Sequence, residues 1–135
     1  MGKGLALEFK RRFPAMFAEY VERCKQGDVQ LGRPYLSNEQ AFPKIINFPT
    51  KNHWRSKSRL ADIRSGLIYL CAHYQAWDIS SLAIPALGCG LGGLSWRDCI
   101  VEIHDVMSKL EIKVEIYVPD GFSLEQTVQI IAEHS

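Results

Sequence analysis

The sequence predicts an α/β protein in which helices pack on a mostly parallel sheet, and three observations carry that reading. Helical and extended patterns alternate along the chain as α-β-β-α-β-α-β-α, the order that builds βαβ units. The segment Ser81-Leu82-Ala83-Ile84-Pro85-Ala86-Leu87 is almost continuously apolar, as in a strand covered on both faces. A glycine-rich loop joins that strand to the next helix. With 135 residues, 47% of them hydrophobic and 23% charged, the chain reads as one domain spanning residues 1–135. That composition supports a core without staples and excludes a wholly disordered chain. Apolar runs fall well short of the ~20 residues a membrane span needs, and no basic–apolar–small secretory order appears. A cytoplasmic protein without membrane contact is expected. A net charge of +1 gives no general attraction for nucleic acid, which leaves that role to a local basic patch.

The elements follow in order. Leu5, Phe9, Phe13, Met16, Phe17, Tyr20 and Val21 recur at steps of three and four and predict a helix from Leu5 to Lys25. Pro14 kinks or splits it, and Gly27 ends it. Val29–Leu36 and Lys44–Thr50 read as two short strands joined by the turn residues Ser37-Asn38-Glu39-Gln40. Pro34, Pro43 and Pro49 point to strand ends or an edge. Ser58–Gln75 is a second helix, with Leu60, Ile63, Leu67, Leu70, Cys71 and Tyr74 as its stripe. The strand at 81–87 precedes a third helix, Ser95–Leu110, whose opening Ser95-Trp96-Arg97-Asp98 has the spacing of a capping box. Ile112–Val118 is the last strand and Ser123–Glu133 the last helix.

Chemistry is most legible at Leu87-Gly88-Cys89-Gly90-Leu91-Gly92-Gly93. This loop lies at the carboxyl end of a strand and just before a helix, where open α/β sheets bind ligands. Glycines let backbone N–H groups approach a diphosphate, and the helix start favours an anion. The spacing is neither the dinucleotide fingerprint nor a P-loop; a plain flexible turn is the competing reading. A second glycine pair, Gly2-Lys3-Gly4, opens the first helix and by itself is equally consistent with a frayed start or a cloning remnant. Lys51, His53, Trp54, Arg55, Lys57 and Arg59 form a third feature. They offer positive charge and one stacking ring, as an edge for single-stranded nucleic acid would, although a solvated loop has the same composition. Lys51 ends a strand, where a lysine is held against a ligand and its neutral amine is a nucleophile. Cys24, Cys71, Cys89 and Cys99 form no C-x-x-C pair, and the four histidines have no ligand spacing, so no metal site is expected. Cys89 beside backbone donors could serve as a nucleophile, but a small buried loop residue is the simpler account. Asp98 and Asp105 read as a cap and a solvated face.

Met1-Gly2-Lys3-Gly4-Leu5-Ala6-Leu7-Glu8-Phe9-Lys10, then Phe48-Pro49-Thr50-Lys51, then Pro85 to Trp96 resemble the macrodomain family in order and spacing. The similarity runs roughly from Met1 to Val118. Within the family it is closest to the DNA ADP-ribosyl glycohydrolase antitoxins, cousins of the terminal ADP-ribose protein glycohydrolase. The resemblance implies a three-layer αβα fold that binds ADP-ribose at the strand ends, with no other cofactor. Gly2, Lys3 and Gly4 would lie against the distal ribose and diphosphate, and Leu87 to Gly93 would wrap them. Lys51 would act at the anomeric carbon C1″, by attacking the opened sugar or by stabilising the leaving group. The implied partners are ADP-ribose, single-stranded DNA carrying it on thymine, and a cognate ADP-ribosyltransferase toxin.

Two departures from the family pattern shape the expectations. The protein-directed cousin has an aspartate where this chain has Gly92, which favours the DNA-directed branch. The family also places two strands before its first loop, whereas this chain begins inside that loop. The resemblance therefore implies a shortened product of a downstream start codon, the alternative being a sheet that closes differently or by association with another chain. Val29–Thr50 and Leu82–Val118 would then lack a shared neighbour, and the exposed sheet edges would pair with another copy. Two further activities fit the same loops: a non-catalytic ADP-ribose reader, and a phosphatase acting on ADP-ribose 1″-phosphate.

Overall fold

Proline at a first helical turn forfeits no hydrogen bond, and in the computed structural model Pro14 opens helix α1, Pro14–Lys25. The structure describes residues 11–12, 14–27, 29–37, 44–51, 57–89 and 92–134. The expected helix start at Leu5 lies outside those residues, although Arg11 and Arg12 are helical. Arg23 and Lys25 complement the dipole in the last turn of α1, and Gly27 closes it at φ +75°. The two strands that follow are shorter than their apolar patterns: β1 is Tyr35–Leu36 and β2 Ile46–Asn47. They pair antiparallel, Tyr35 opposite Asn47 and Leu36 opposite Ile46, as the expected hairpin requires. Pro34 and Pro49 flank them, as expected of residues with no ladder donor. Pro43 and the turn at 38–43 lie outside the described residues.

Helix α2 is Leu60–His73, strand β3 Ser81–Ile84, helix α3 Trp96–Met107, strand β4 Lys113–Ile116 and helix α4 Leu124–Glu133. β3 and β4 pair in parallel through four residues, from Ser81 with Lys113 to Ile84 with Ile116. The expected single, mostly parallel sheet therefore appears, among the described residues, as one antiparallel and one parallel pair. The fold is α/β, and both pairs abut one core. Ile63, Leu67, Leu70, Ile84, Ile100, Ile103, Val106 and Ile130 are buried in that core, with Ile46, Phe48, Leu82 and Val114 packed on it.

One local expectation fails. Ser95 is the N-cap residue of α3, but its side chain makes no capping hydrogen bond, so the capping-box spacing there is coincidental. The complete box is at α4: Ser123 Oγ accepts from the Gln126 amide at 3.0 Å, and Gln126 Oε1 accepts from the Ser123 amide at 2.8 Å. Trp96, 2% exposed, ties α3 to this helix by donating from Nε1 to Thr127 Oγ1 at 3.1 Å. The start of α3 is thereby fixed from behind, which matters because the glycine loop ends there.

Candidate functional site

Helix α2 brings two separate stretches of chain to one place. Gly66 has no side chain because the Phe48 ring occupies that space: a Cβ at 66 would stand 2.8 Å from Phe48 Cε1. One turn earlier on the same face, Ile63 packs beneath Gly88, where a Cβ would lie 3.2 Å from Ile63 Cδ1 and 2.7 Å from Leu94 Cδ1. Ile63 and Gly66 are three residues apart, about 4.5 Å along the helix. The end of β2, which leads to Lys51, and the loop after β3 therefore sit side by side. Both lie toward the N-terminal end of α2, at the carboxyl ends of the strands.

The loop is held by its own backbone. Pro85 and Ala86 carbonyls accept from the Leu87 and Cys89 amides at 2.9 and 3.2 Å, and the Gly88 carbonyl accepts from Leu94 at 3.0 Å. Gly88 and Gly93 adopt φ +77° and +80°, a region closed to most side chains. Gly92 is buried, and its carbonyl accepts a 2.9 Å hydrogen bond from the Ser58 amide. Ser58 Oγ lies 2.7 Å from where a Cβ at 92 would be, so no side chain fits there without movement. The strap at residues 57–59, with Lys57 and Arg59, is thus tied to the glycine loop. The Lys57 stem runs beside Gly93, 3.7 Å from its Cβ position, which sets an exposed cation at the loop. The starts of α2 and α3 open at the same end, and their first amides have no acceptor within the helix. The loop's Leu87, Cys89, Gly92 and Leu94 amides are spent on its own carbonyls, so the two helix starts and the nearby lysine are what suits an anionic ligand.

Of the residues the sequence singles out, Leu87, Gly88, Cys89, Gly92 and Gly93 share this loop. Lys51 follows β2 and is partly buried. Lys57 and Arg59 are exposed where the strap enters α2. Gly2, Lys3, Gly4, His53, Trp54, Arg55, Gly90 and Leu91 lie outside the described residues. Burial pushes the Cys89 thiol above its ordinary value, with a hydrogen bond from Cys99 acting the other way. Cys99 itself is pushed up to about 12, first by burial and then by Cys89. Both favour neutral thiols, which removes the thiolate that nucleophilic chemistry needs and fits the structural reading of Cys89. All four cysteines are unpaired by disulfides. Among the described residues no cluster has the makings of a metal site, and no helix is long and apolar enough to cross a membrane. A polar groove of about 270 Å³ lies elsewhere, on the outer faces of α2 and α3, where Arg64 already bridges Glu102 and Asp105.

Sequence reasoning missed Ser58 and the Phe48–Gly66 contact. Ser58 reads as the first residue of a helix, yet Arg59 is the N-cap and Ser58 stands one residue outside it. Gly66 in a helical stripe was the one signal of a close approach.

A sequence profile described as Macro domain matches residues 1–103. A DNA ADP-ribosyl glycohydrolase of Mycobacterium tuberculosis is 45% identical over 127 residues, 91% of this chain and 36% of that protein. A DNA ADP-ribosyl transferase–DNA ADP-ribosyl glycohydrolase fusion protein of Thermosipho africanus is 39% identical over 137 residues, 88% of this chain and 35% of its own length. This chain therefore spans about a third of the curated relatives it matches. The solved structure of Thermosipho africanus DarTG in complex with ADP-ribose superposes with a TM-score of 0.88 at 35% identity, covering 97% of this chain and 38% of that one. The chain belongs to the Macro domain family.

Proposed function

We propose that this chain, as a single domain, binds ADP-ribose along Leu87–Gly93 and releases it from thymine in single-stranded DNA, with Lys51 as the catalytic group. The observation that carries the reading is the convergence on α2: Phe48 against Gly66 and Gly88 against Ile63 bring the strand end before Lys51 beside the glycine loop. A diphosphate lies along the glycine loop beside the starts of α2 and α3, with Gly2, Lys3, Gly4, Gly90 and Leu91 completing its cradle, and C1″ of the distal ribose faces Lys51. In the net reaction the bond between C1″ and the thymine nitrogen breaks. Water supplies oxygen to C1″ and a proton to the base. Lys51 either forms a transient bond to the opened sugar or stabilises the departing base by its charge. His53, Trp54, Arg55, Lys57 and Arg59 follow the DNA strand.

Gly92 supports DNA over an acidic side chain as the substrate, because Ser58 Oγ fills the space in which an acidic residue at 92 would begin. The names of the relatives support the same choice and a cognate ADP-ribosyltransferase as the opposing enzyme. A reaction on DNA places the protein in the cytoplasm of a bacterial cell. β2 and β3 each have one side without a ladder partner among the described residues, which supports pairing with a second copy.

The test offers the protein three substrates: oligonucleotide with ADP-ribose on thymine, a peptide with ADP-ribose on glutamate, and ADP-ribose 1″-phosphate. Release from the oligonucleotide alone, falling as salt rises, is the expected result. Release from the peptide alone would overturn the substrate, release of phosphate would favour the phosphatase reading, and binding without turnover would leave a reader.

A further inference from the structure

Ser58 is 5% exposed, and its Oγ is buried without a hydrogen-bond partner among the described residues. Such groups are rare in folded proteins, and each costs roughly 1–3 kcal/mol relative to a satisfied one. Alanine would fill nearly the same volume without that cost, so the hydroxyl calls for a role. Among the described residues two other buried polar atoms lack partners, Tyr35 Oη and Asn47 Nδ2. They belong to paired residues on β1 and β2, and Tyr35 lies under Arg23 of α1, away from the glycine loop. Ser58 alone stands against the loop: its amide is bonded to the Gly92 carbonyl, and its Oγ reaches the empty Cβ position of Gly92.

Building on the ADP-ribose reading of this site, we propose that Ser58 is a further binding residue, whose hydroxyl donates a hydrogen bond to an oxygen of the ligand's second phosphate or distal ribose, the part that AMP lacks. The chemistry is matched. A serine hydroxyl rotates to reach an acceptor, and a bond to an anionic oxygen is about twice as strong as one between neutral groups. The place is matched in that Gly92, whose Cβ position the hydroxyl reaches, carries no side chain. Since the Ser58 amide holds the Gly92 carbonyl, a ligand gripping the hydroxyl also tightens the tie between residue 58 and the glycine loop.

The experiment measures ADP-ribose and AMP binding by calorimetry for the wild type, Ser58→Ala and Ser58→Cys, with the thermal midpoint of each unliganded protein. AMP lacks the second phosphate and the distal ribose. Both variants should lose about tenfold in ADP-ribose affinity and keep AMP affinity, and the Ser58→Ala midpoint should be unchanged or higher. Cysteine fills the serine volume but is a weak donor, so wild-type affinity in Ser58→Cys alone would assign the residue to packing and overturn the proposal. Equal losses for both ligands, or no loss in Ser58→Ala, would also overturn it. A wild type that binds no ADP-ribose would instead refute the reading of the site itself, and this proposal with it.

Discussion

Adding one methyl group to Gly66 tests how the strand end before Lys51 is positioned. In an ordinary helix interior Gly→Ala stabilises by about 1 kcal/mol, because alanine has less backbone freedom to lose. Here the new Cβ would stand 2.8 Å from Phe48 Cε1 and 3.0 Å from Cε2, inside the van der Waals contact distance. Gly66 sits in a rigid, buried turn of α2, so the ring must move. Overpacking of this kind costs about 1–3 kcal/mol, and partial exposure of a phenylalanine adds a fraction of the ~3 kcal/mol its full burial is worth. Set against the propensity gain, the net expectation is a loss of about 1–2 kcal/mol, or roughly 4–8 °C for a chain of this size. The displaced ring carries residues 49–51 with it, so release of ADP-ribose should fall more than ADP-ribose binding does. Differential scanning calorimetry with a single-turnover assay reads both. Phe48→Leu added to Gly66→Ala should recover part of the stability, as a coupled pair does. A midpoint raised by Gly66→Ala, with activity untouched, would refute the reasoning.

Three further outcomes follow from the same structure. Thr127→Val removes the acceptor for the buried Trp96 Nε1 donor and should lower stability by about 1–3 kcal/mol in chemical denaturation, whereas an exposed control, Val128→Thr, should change it little. Burial raises Tyr20 and Tyr35 from 10.0 to about 12, and Cys99 likewise to about 12. A raised value means that the unfolded chain loses its protons first. Stability present below pH 9 should therefore fall as pH rises from 9 toward 12, and a flat alkaline melting profile would contradict it. Arg64 holds the Asp105 carboxyl below its ordinary value, so that contribution is present above pH 4 and fades on further acidification; Asp105→Asn should flatten the acid limb slightly.

The glycine loop and the alternation of helices and strands were legible because each depends on residues close in sequence. The apolar run at 81–87 marked a strand, but only Ser81–Ile84 is extended and Ser81 and Ala83 are exposed, so one face is covered rather than both; Gly88 and Gly93 do take positive φ. The capping spacing at Ser95 misled for the converse reason. A cap needs a rotamer as well as a spacing, and that hydroxyl makes no cap bond while the same chemistry is satisfied at Ser123. Strand lengths were overestimated at 29–36 and 44–50, where an extended apolar pattern persists past the few residues that find a ladder partner. Ser58 was invisible as a site residue, since its importance rests on a contact with Gly92, thirty-four positions away in the chain. The placement of Phe48 on Gly66 is equally nonlocal. It is also the contact on which the proposed role of Lys51 rests.

The central claim is that Lys51 acts on ADP-ribose held by the glycine loop, and the most direct measurement is release of ADP-ribose from thymine-modified single-stranded DNA by the wild type, Lys51→Ala and Lys51→Arg. The account predicts turnover by the wild type and none by Lys51→Ala, with ADP-ribose binding largely retained in that variant. Guanidinium keeps the charge but is not a nucleophile at neutral pH, so loss in Lys51→Arg would indicate a covalent role and retention an electrostatic one. Wild-type turnover by Lys51→Ala would contradict the account outright.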